Sequence, residues 1–512
     1  MVGRCIVRCV AEPGAIRMGT ARGRWVLLTT VLGSGLVLID GTVVNVALAR
    51  IGADFNAGFT ALQWTVNAYT LTLAALILLG GSLGDHFGRR RVFLIGVVWF
   101  ALASLMCGLA PDVNTLIVAR ALQGVGGALL TPGSLALISA SFHGPDRAAA
   151  VGAWSGLGGI AGAVGPFLGG WLVEWNWRAV FLINLPLAVL VVVVALRHVP
   201  ESRDPDAAPG LDISGTALAA LGLAGLTYSL TGLSERGVTT DLVVALAIGL
   251  LALVAFVLHE RRSQSPLVPT ELFGNATFSA ANAVTMLVYA ALGVVFLLLV
   301  LQLQTVAGFS AFAAGTSLLP VTLIMLAFSA RSGALAGRIG PRLPMTLGPL
   351  VSAAGLLLML RIGPGASWAA DVLPAVLVFG AGLTLTVAPL TATVLDSAPD
   401  RYAGAASGVN NAVARAAGLL SVAVIPGVAG IRGSDYTEAA SFNAGFRMAM
   451  MIGAGLLVLA SLLAFTLVRR PLRAAEADRP DSTTAHRVPI EEYAHCDIVA
   501  PQVCPGAERM RD

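Results

Sequence analysis

Two ionisable residues stand inside long apolar runs: Asp40 within the stretch from about 25 to 49, and Arg120 within that from about 114 to 140. Asp40 lies about 15 residues into its run, some ~22 Å along a helix, and Arg120 enters its own run from the opposite side to a similar height. A carboxylate at that depth in a bilayer is costly unless it is protonated, paired or hydrated. Burial favours the neutral carboxyl and a neighbouring guanidinium favours the ionised one, so an arginine that approaches or withdraws can switch proton affinity. The expectation is a proton carrier at Asp40, tuned by Arg120 across a central cavity. A static ion pair is the structural alternative.

A second constellation is Gly81-Ser82-Leu83-Gly84-Asp85-His86-Phe87-Gly88-Arg89-Arg90-Arg91. Gly81, Gly84 and Gly88 are expected to let two helix ends approach and turn. Asp85, Arg89 and Arg90 then offer charge contacts that a moving helix makes and breaks at the membrane surface. The spacing recurs at Gly333-Ala334-Leu335-Ala336-Gly337-Arg338-Ile339-Gly340-Pro341-Arg342, with Gly337 in the place of Asp85, which implies two related halves. Asn45, Gln63, Trp64, Asn67, Tyr69, Asn282, Tyr289, Asn410, Asn411 and Arg415 are candidates for lining a substrate cavity, with interhelical hydrogen bonding as the alternative.

The elements that must position these residues are membrane helices. The chain of 512 residues is 56% hydrophobic and 12% charged, against about 25% charged in soluble domains, and its mean hydropathy is +0.83. Runs of the length needed to cross a bilayer predict an all-α polytopic membrane protein of about fourteen spans, at roughly 25–49, 61–83, 91–110, 114–140, 148–172, 179–197, 212–233, 240–258, 276–301, 311–332, 345–363, 370–392, 404–429 and 445–468. Polar linkers divide it into a basic leader (1–24), six spans (25–197), a linker (198–211), an inserted pair (212–258), a second linker (259–275), six more spans (276–468) and a polar tail (469–512) expected to be disordered. Met18 would serve as well as Met1 as a start.

Lysine is absent, and the arginines collect in the leader, in alternate loops and after the last span. This sorting places both termini in the cytoplasm and explains the net charge of +4 as topology, with no role for nucleic acid. The five cysteines (Cys5, Cys9, Cys107, Cys496 and Cys504) match neither a disulfide framework nor a zinc pattern, so no metal site and no cofactor is expected. Without lysine a P-loop is excluded, and the six histidines fall outside the cores of the spans, which argues against ATP-driven pumping and against a membrane-embedded enzyme.

Several motifs together resemble the major facilitator superfamily, in particular its fourteen-span drug:proton antiporter branch, over roughly residues 25–468. Gly81–Arg91 resembles the loop between spans two and three, and Leu38-Ile39-Asp40-Gly41-Thr42-Val43-Val44-Asn45-Val46-Ala47-Leu48 the first-span motif. Arg120-Ala121-Leu122-Gln123-Gly124-Val125-Gly126-Gly127 resembles the fourth-span motif, Gly165-Pro166-Phe167-Leu168-Gly169-Gly170 the fifth-span antiporter motif, and Trp177-Arg178-Ala179-Val180-Phe181-Leu182-Ile183-Asn184-Leu185-Pro186 the entry to span six. Ala161 departs from the antiporter pattern, which has glycine there, with Gly162 adjacent. The resemblance implies two six-helix bundles plus an inserted central pair, helix packing at Gly165, Pro166, Gly169 and Gly170, and a gate at Gly81–Arg90.

The expected protein is a monomeric, multi-pass transporter of the bacterial plasma membrane that exports a small amphiphilic compound in exchange for protons by alternating access. A proton-coupled importer of a metabolite is the alternative, ahead of an enzyme or a sensor. The lack of a central acid in spans nine to fourteen disfavours dications and leaves neutral, monocationic or zwitterionic amphiphiles as the expected substrates. Reporter fusions are expected to place residues 1–24, 198–211, 259–275 and 469–512 all in the cytoplasm; an extracellular reading at 259–275 would break the count of the central pair.

Overall fold

In a hydrocarbon layer every backbone polar group must be satisfied within its own segment, so long apolar runs become helices. The computed structural model describes residues 16–203, 210–263, 266–399, 402–432 and 438–468. The tail from 469 and most of the leader lie outside the described residues. The long helices are α1 (Ala21–Phe55), α2 (Phe59–Phe87), α3 (Arg89–Gly108), α4 (Val113–Ser141), α5 (Gly144–Trp175), α6 (Ala179–His198), α7 (Ile213–Arg236), α8 (Thr240–Glu260), α9 (Ala276–Thr305), α10 (Ala311–Ile339), α11 (Arg342–Met359), α12 (Trp368–Asp396), α13 (Ala403–Val428) and α14 (Ala439–Leu467). Thirteen of them are long and apolar enough to cross a membrane by length and composition, and α5 adds a helix of 32 residues. Side-chain oxygens close several first turns: Thr20 accepts from the N–H of Gly23, Asp112 from Thr115, Asp212 from Gly215, Asn275 from Thr277 and Ser310 from Ala313.

Packing repeats with a shift of eight helices. α2 and α3 lie against α4 as α10 and α11 lie against α12; α1 pairs with α5 as α9 pairs with α13; α6 touches α1 and α3 as α14 touches α9 and α11. The inserted α7 and α8 form a hairpin, and α7 rests against both α2 and α13. The two groups of six meet through α1–α9, α2–α13 and α5–α10.

That meeting is one-sided. At the end where α1 and α9 finish, one apolar core runs through both groups, including Val43, Leu48, Phe59 and Leu172 with Leu298, Leu303, Val422 and Ile425. At the other end the core built on Val26, Leu36, Phe93 and Ile138 draws only on α1–α6 and the residues flanking them. Two amides cross the closed end: Gln63 Nε2 donates to Val422 O at 2.7 Å, and Gln304 Nε2 to Val46 O at 3.0 Å.

Glycines permit the tightest approaches. A Cβ at Gly165 would fall 2.0 Å from Thr42 Oγ1 on α1, and one at Gly170 would fall 2.7 Å from Phe312 Cα on α10. Gly169 abuts Val43, and a Cβ at Gly315 would lie 2.2 Å from the carbonyl oxygen of Pro166. The fifth-span motif therefore presses α5 against two helices at once. Gly162 has nothing within 4 Å of a built Cβ. Gly165→Ala is expected to destabilise by about 1–3 kcal/mol through overpacking. Gly162→Ala should be neutral or slightly stabilising through helix propensity. Thermal denaturation of the detergent-purified protein checks the pair, and equal stability of the two variants would contradict the packing account.

Candidate functional site

Asp40 and Arg120 meet inside the first six helices. Arg120 Nη1 donates to Asp40 Oδ2 at 2.5 Å and to Gln123 Oε1 at 2.7 Å, and its Nε donates to the Thr65 carbonyl at 3.1 Å. Its guanidinium lies 4.2 Å from the centre of the Tyr69 ring, a cation–π contact. Asp40 Oδ1 accepts from Gln123 Nε2 at 2.8 Å and from Asn184 Nδ2 at 3.3 Å. Ser104 ties these together, accepting from Gln123 at 3.1 Å and Asn184 at 3.0 Å while donating to Phe181 O at 2.9 Å.

The expected geometry needs correcting in one respect. Asp40 and Arg120 are 0% and 1% exposed, so the pair does not span a cavity between the halves; it is sealed among α1, α2, α3, α4 and α6. Sequence reasoning also missed three members. Gln123 and Asn184 lay within quoted motifs without an assigned role, and Ser104 carried no signal at all. A buried ion pair survives only when its remaining lone pairs and protons are also satisfied, and these neutral donors supply that.

The charged turn differs from expectation as well. α2 continues to Phe87 and α3 begins at Arg89, leaving Gly88 alone as the turn, with φ 111°. Gly340 in the second copy has φ 88°, and each glycine donates its N–H to the carbonyl four residues earlier, Gly84 and Ala336. Gly81 and Gly84 make only ordinary contacts; the close approach of α2 to α4 falls at Gly80, where a Cβ would meet Ala128 O at 2.1 Å. Asp85 pairs with Arg89 at 2.8 Å. Glu201, absent from the expected set, accepts the Arg90 N–H at 3.0 Å, and its carboxylate lies 3.8 Å from Arg90 Nε and 3.7 Å from Arg91 Nε. Arg90 Nη1 also donates to Val199 O at 2.9 Å, so the turn is latched to the segment following α6.

The cavity candidates divide. Gln63 is the clamp to α13, Trp64 faces Tyr228 of α7 with ring centres 6.5 Å apart, and Tyr69 lies under Arg120 with its hydroxyl 3.4 Å from Val37 O. Asn45 bonds its own helix at Gly41 O, and buried Asn67 has no hydrogen-bond partner among the described residues. In the second half, Asn410 Nδ2 donates to Thr285 Oγ1 at 2.7 Å and to Asn282 Oδ1 at 3.2 Å. Tyr289 is partly buried, Asn411 is exposed and bonds Ser407 O, and Arg415 is half-buried. The geometry thus provides a sealed charge network in one half and a more open polar face in the other.

The family model described as Major Facilitator Superfamily matches residues 30–423. The chain is 35% identical to the puromycin resistance protein pur8 of Streptomyces alboniger over 93% of its length and 97% of that protein. It is 38% identical to the cephamycin export protein CmcT of Amycolatopsis lactamdurans, covering 77% of this chain and 82% of the relative. Among solved structures, a D-xylose-proton symporter aligns with TM-score 0.63 at 17% identity over 87% of this chain and 98% of the other, which is a likeness of fold.

Removing one member of the Asp40–Arg120 pair leaves a buried charge alone. Arg120→Leu and Asp40→Leu are each expected to cost about 3–5 kcal/mol, and the double variant markedly less than their sum. Denaturation of the purified single and double variants measures this, and additive losses would show that the two side chains act independently.

Proposed function

The chain belongs to the major facilitator superfamily, and on that premise we propose that it is a proton-coupled exporter of small amphiphilic, antibiotic-like compounds, of the fourteen-span drug:proton antiporter branch. One observation carries the coupling: Asp40 is the single mid-span carboxylate among the described residues, and its ionised form is held by Arg120, Gln123 and Asn184. Movement of these donors changes how well the ionised form is tolerated, which is what exchange for a proton requires. The relatives named for resistance to or export of puromycin and cephamycin support export of a comparable small molecule.

The repeated packing supports two six-helix bundles as the moving bodies, with α7 and α8 as the inserted pair. With both termini cytoplasmic, as the arginine distribution favours, the closed end faces outward and the conformation is inward-facing. The turn at Gly88, latched by Asp85–Arg89 and by Glu201, then lies on the cytoplasmic side, where it can be made and broken as the bundles rock. The protein acts as a monomer in the plasma membrane and engages no nucleic acid.

The test is reconstitution. Proteoliposomes with an imposed pH gradient are expected to lose it when an exported antibiotic is added. Asp40→Asn should still bind the compound but leave the gradient intact, while uphill export by this variant at the wild-type rate would eliminate Asp40 as the proton carrier.

A further inference from the structure

Arg415 sits at the middle of α13, 12 residues from Ala403 and 13 from Val428. Gly408, Arg415 and Val422 are spaced seven apart, about two helical turns each, so they share one side of the helix. Both flanking positions face α2: a Cβ at Gly408 would lie 3.0 Å from Leu78, and Val422 O accepts from Gln63. Arg415 therefore points into the seam between the two halves at mid-membrane height. Tyr69 on α2 and Tyr289 on α9 stand on the two helices that pack against α13 from opposite halves.

Among the described residues this guanidinium has neither a hydrogen-bond acceptor nor a carboxylate within ion-pair distance. No protein group at its depth can serve, because Asp40 is engaged by Arg120 and the other acids of the helices stand in first or last turns. It is half-buried in this conformation. When the seam closes, an unpaired guanidinium loses hydration at high cost, and that cost falls if an anion travels with it.

We propose that Arg415 is the counter-ion for an ionised acid on the transported molecule, so that the substrate is an amphiphilic organic anion seated beside Tyr69 and Tyr289. The proposal rests on the exporter reading and narrows its substrate. The shortage of acids already disfavoured dications, and the free guanidinium moves the preference from cations and neutral compounds to acids. The planar fork of arginine suits a carboxylate or sulfonate bidentately, the phenols supply aromatic faces and donors, and a cationic amphiphile meets repulsion.

The experiment uses full-length protein in proteoliposomes with matched aryl probes: naphthaleneacetate, its amide and naphthylethylammonium, with the corresponding anthracene triplet. Wild type is expected to move the acids in preference to the amides and amines. Arg415→Gln should lower acid transport at least about tenfold with little change for the amides, and Arg415→Lys should restore part of it. Transport by wild type of amides or amines only, or equal loss of all three classes in Arg415→Gln at wild-type protein levels, would overturn the anion site and leave the exporter standing. Absence of transport for every probe by wild type overturns the anion site where an antibiotic still collapses the imposed pH gradient, and rejects the exporter reading with it where no antibiotic does.

Discussion

A carboxylate and a guanidinium locked together inside hydrocarbon set the terms for the first six helices. Neither Asp40 nor Arg120 tolerates that environment alone, so the helices carrying them must hold register with each other and with the donors on α3, α4 and α6. The network of Gln123, Asn184 and Ser104 spreads the negative charge over several hydrogen bonds. With its charges and donors paired, such a cluster holds α1, α3, α4 and α6 in one register.

Small residues govern where that bundle meets the other half. Gly165, Gly169 and Gly170 bring α5 into backbone contact with α1 on one side and α10 on the other. The helix that touches Thr42, two residues from Asp40, is thus the same helix that touches the opposite half. Tyr69 makes a second bridge: its ring stacks under Arg120, and its helix α2 packs against α13 of the second half. Packing links the ion pair to the opposite half through these two routes.

The two halves share backbone geometry and differ in charge. Gly88 and Gly340 make the same positive-φ turn between equivalent helices, yet among the described residues only the first copy carries the acid at the third-from-last helical position and a carboxylate partner in Glu201. The sealed ion pair likewise belongs to the first half and the unpaired arginine to the second. The first half holds the ion pairs of the Gly88 turn and of the bundle interior, while the second carries the Asn410, Asn282 and Thr285 cluster.

The sequence by itself determined the helix count, the repeat and the identity of the two charges central to the first half, because apolar run length and the rarity of buried charge are properties of the linear chain. It also marked the packing glycines of α5. It could not tell that Asp40 and Arg120 are sealed within one bundle, since depth along each helix can be counted but the direction each side chain faces depends on how neighbouring helices rotate. Ser104 and Glu201 were invisible for the same reason: a serine in a span and a glutamate in a linker gain their roles only from what folds against them. Gln63 and Trp64, adjacent in the chain, were grouped as cavity residues, yet the helical turn of about 100° per residue sends one to α13 and the other to α7. The solitude of Arg415 was likewise decided by tertiary structure, because whether a charge has a partner is a property of the space around it.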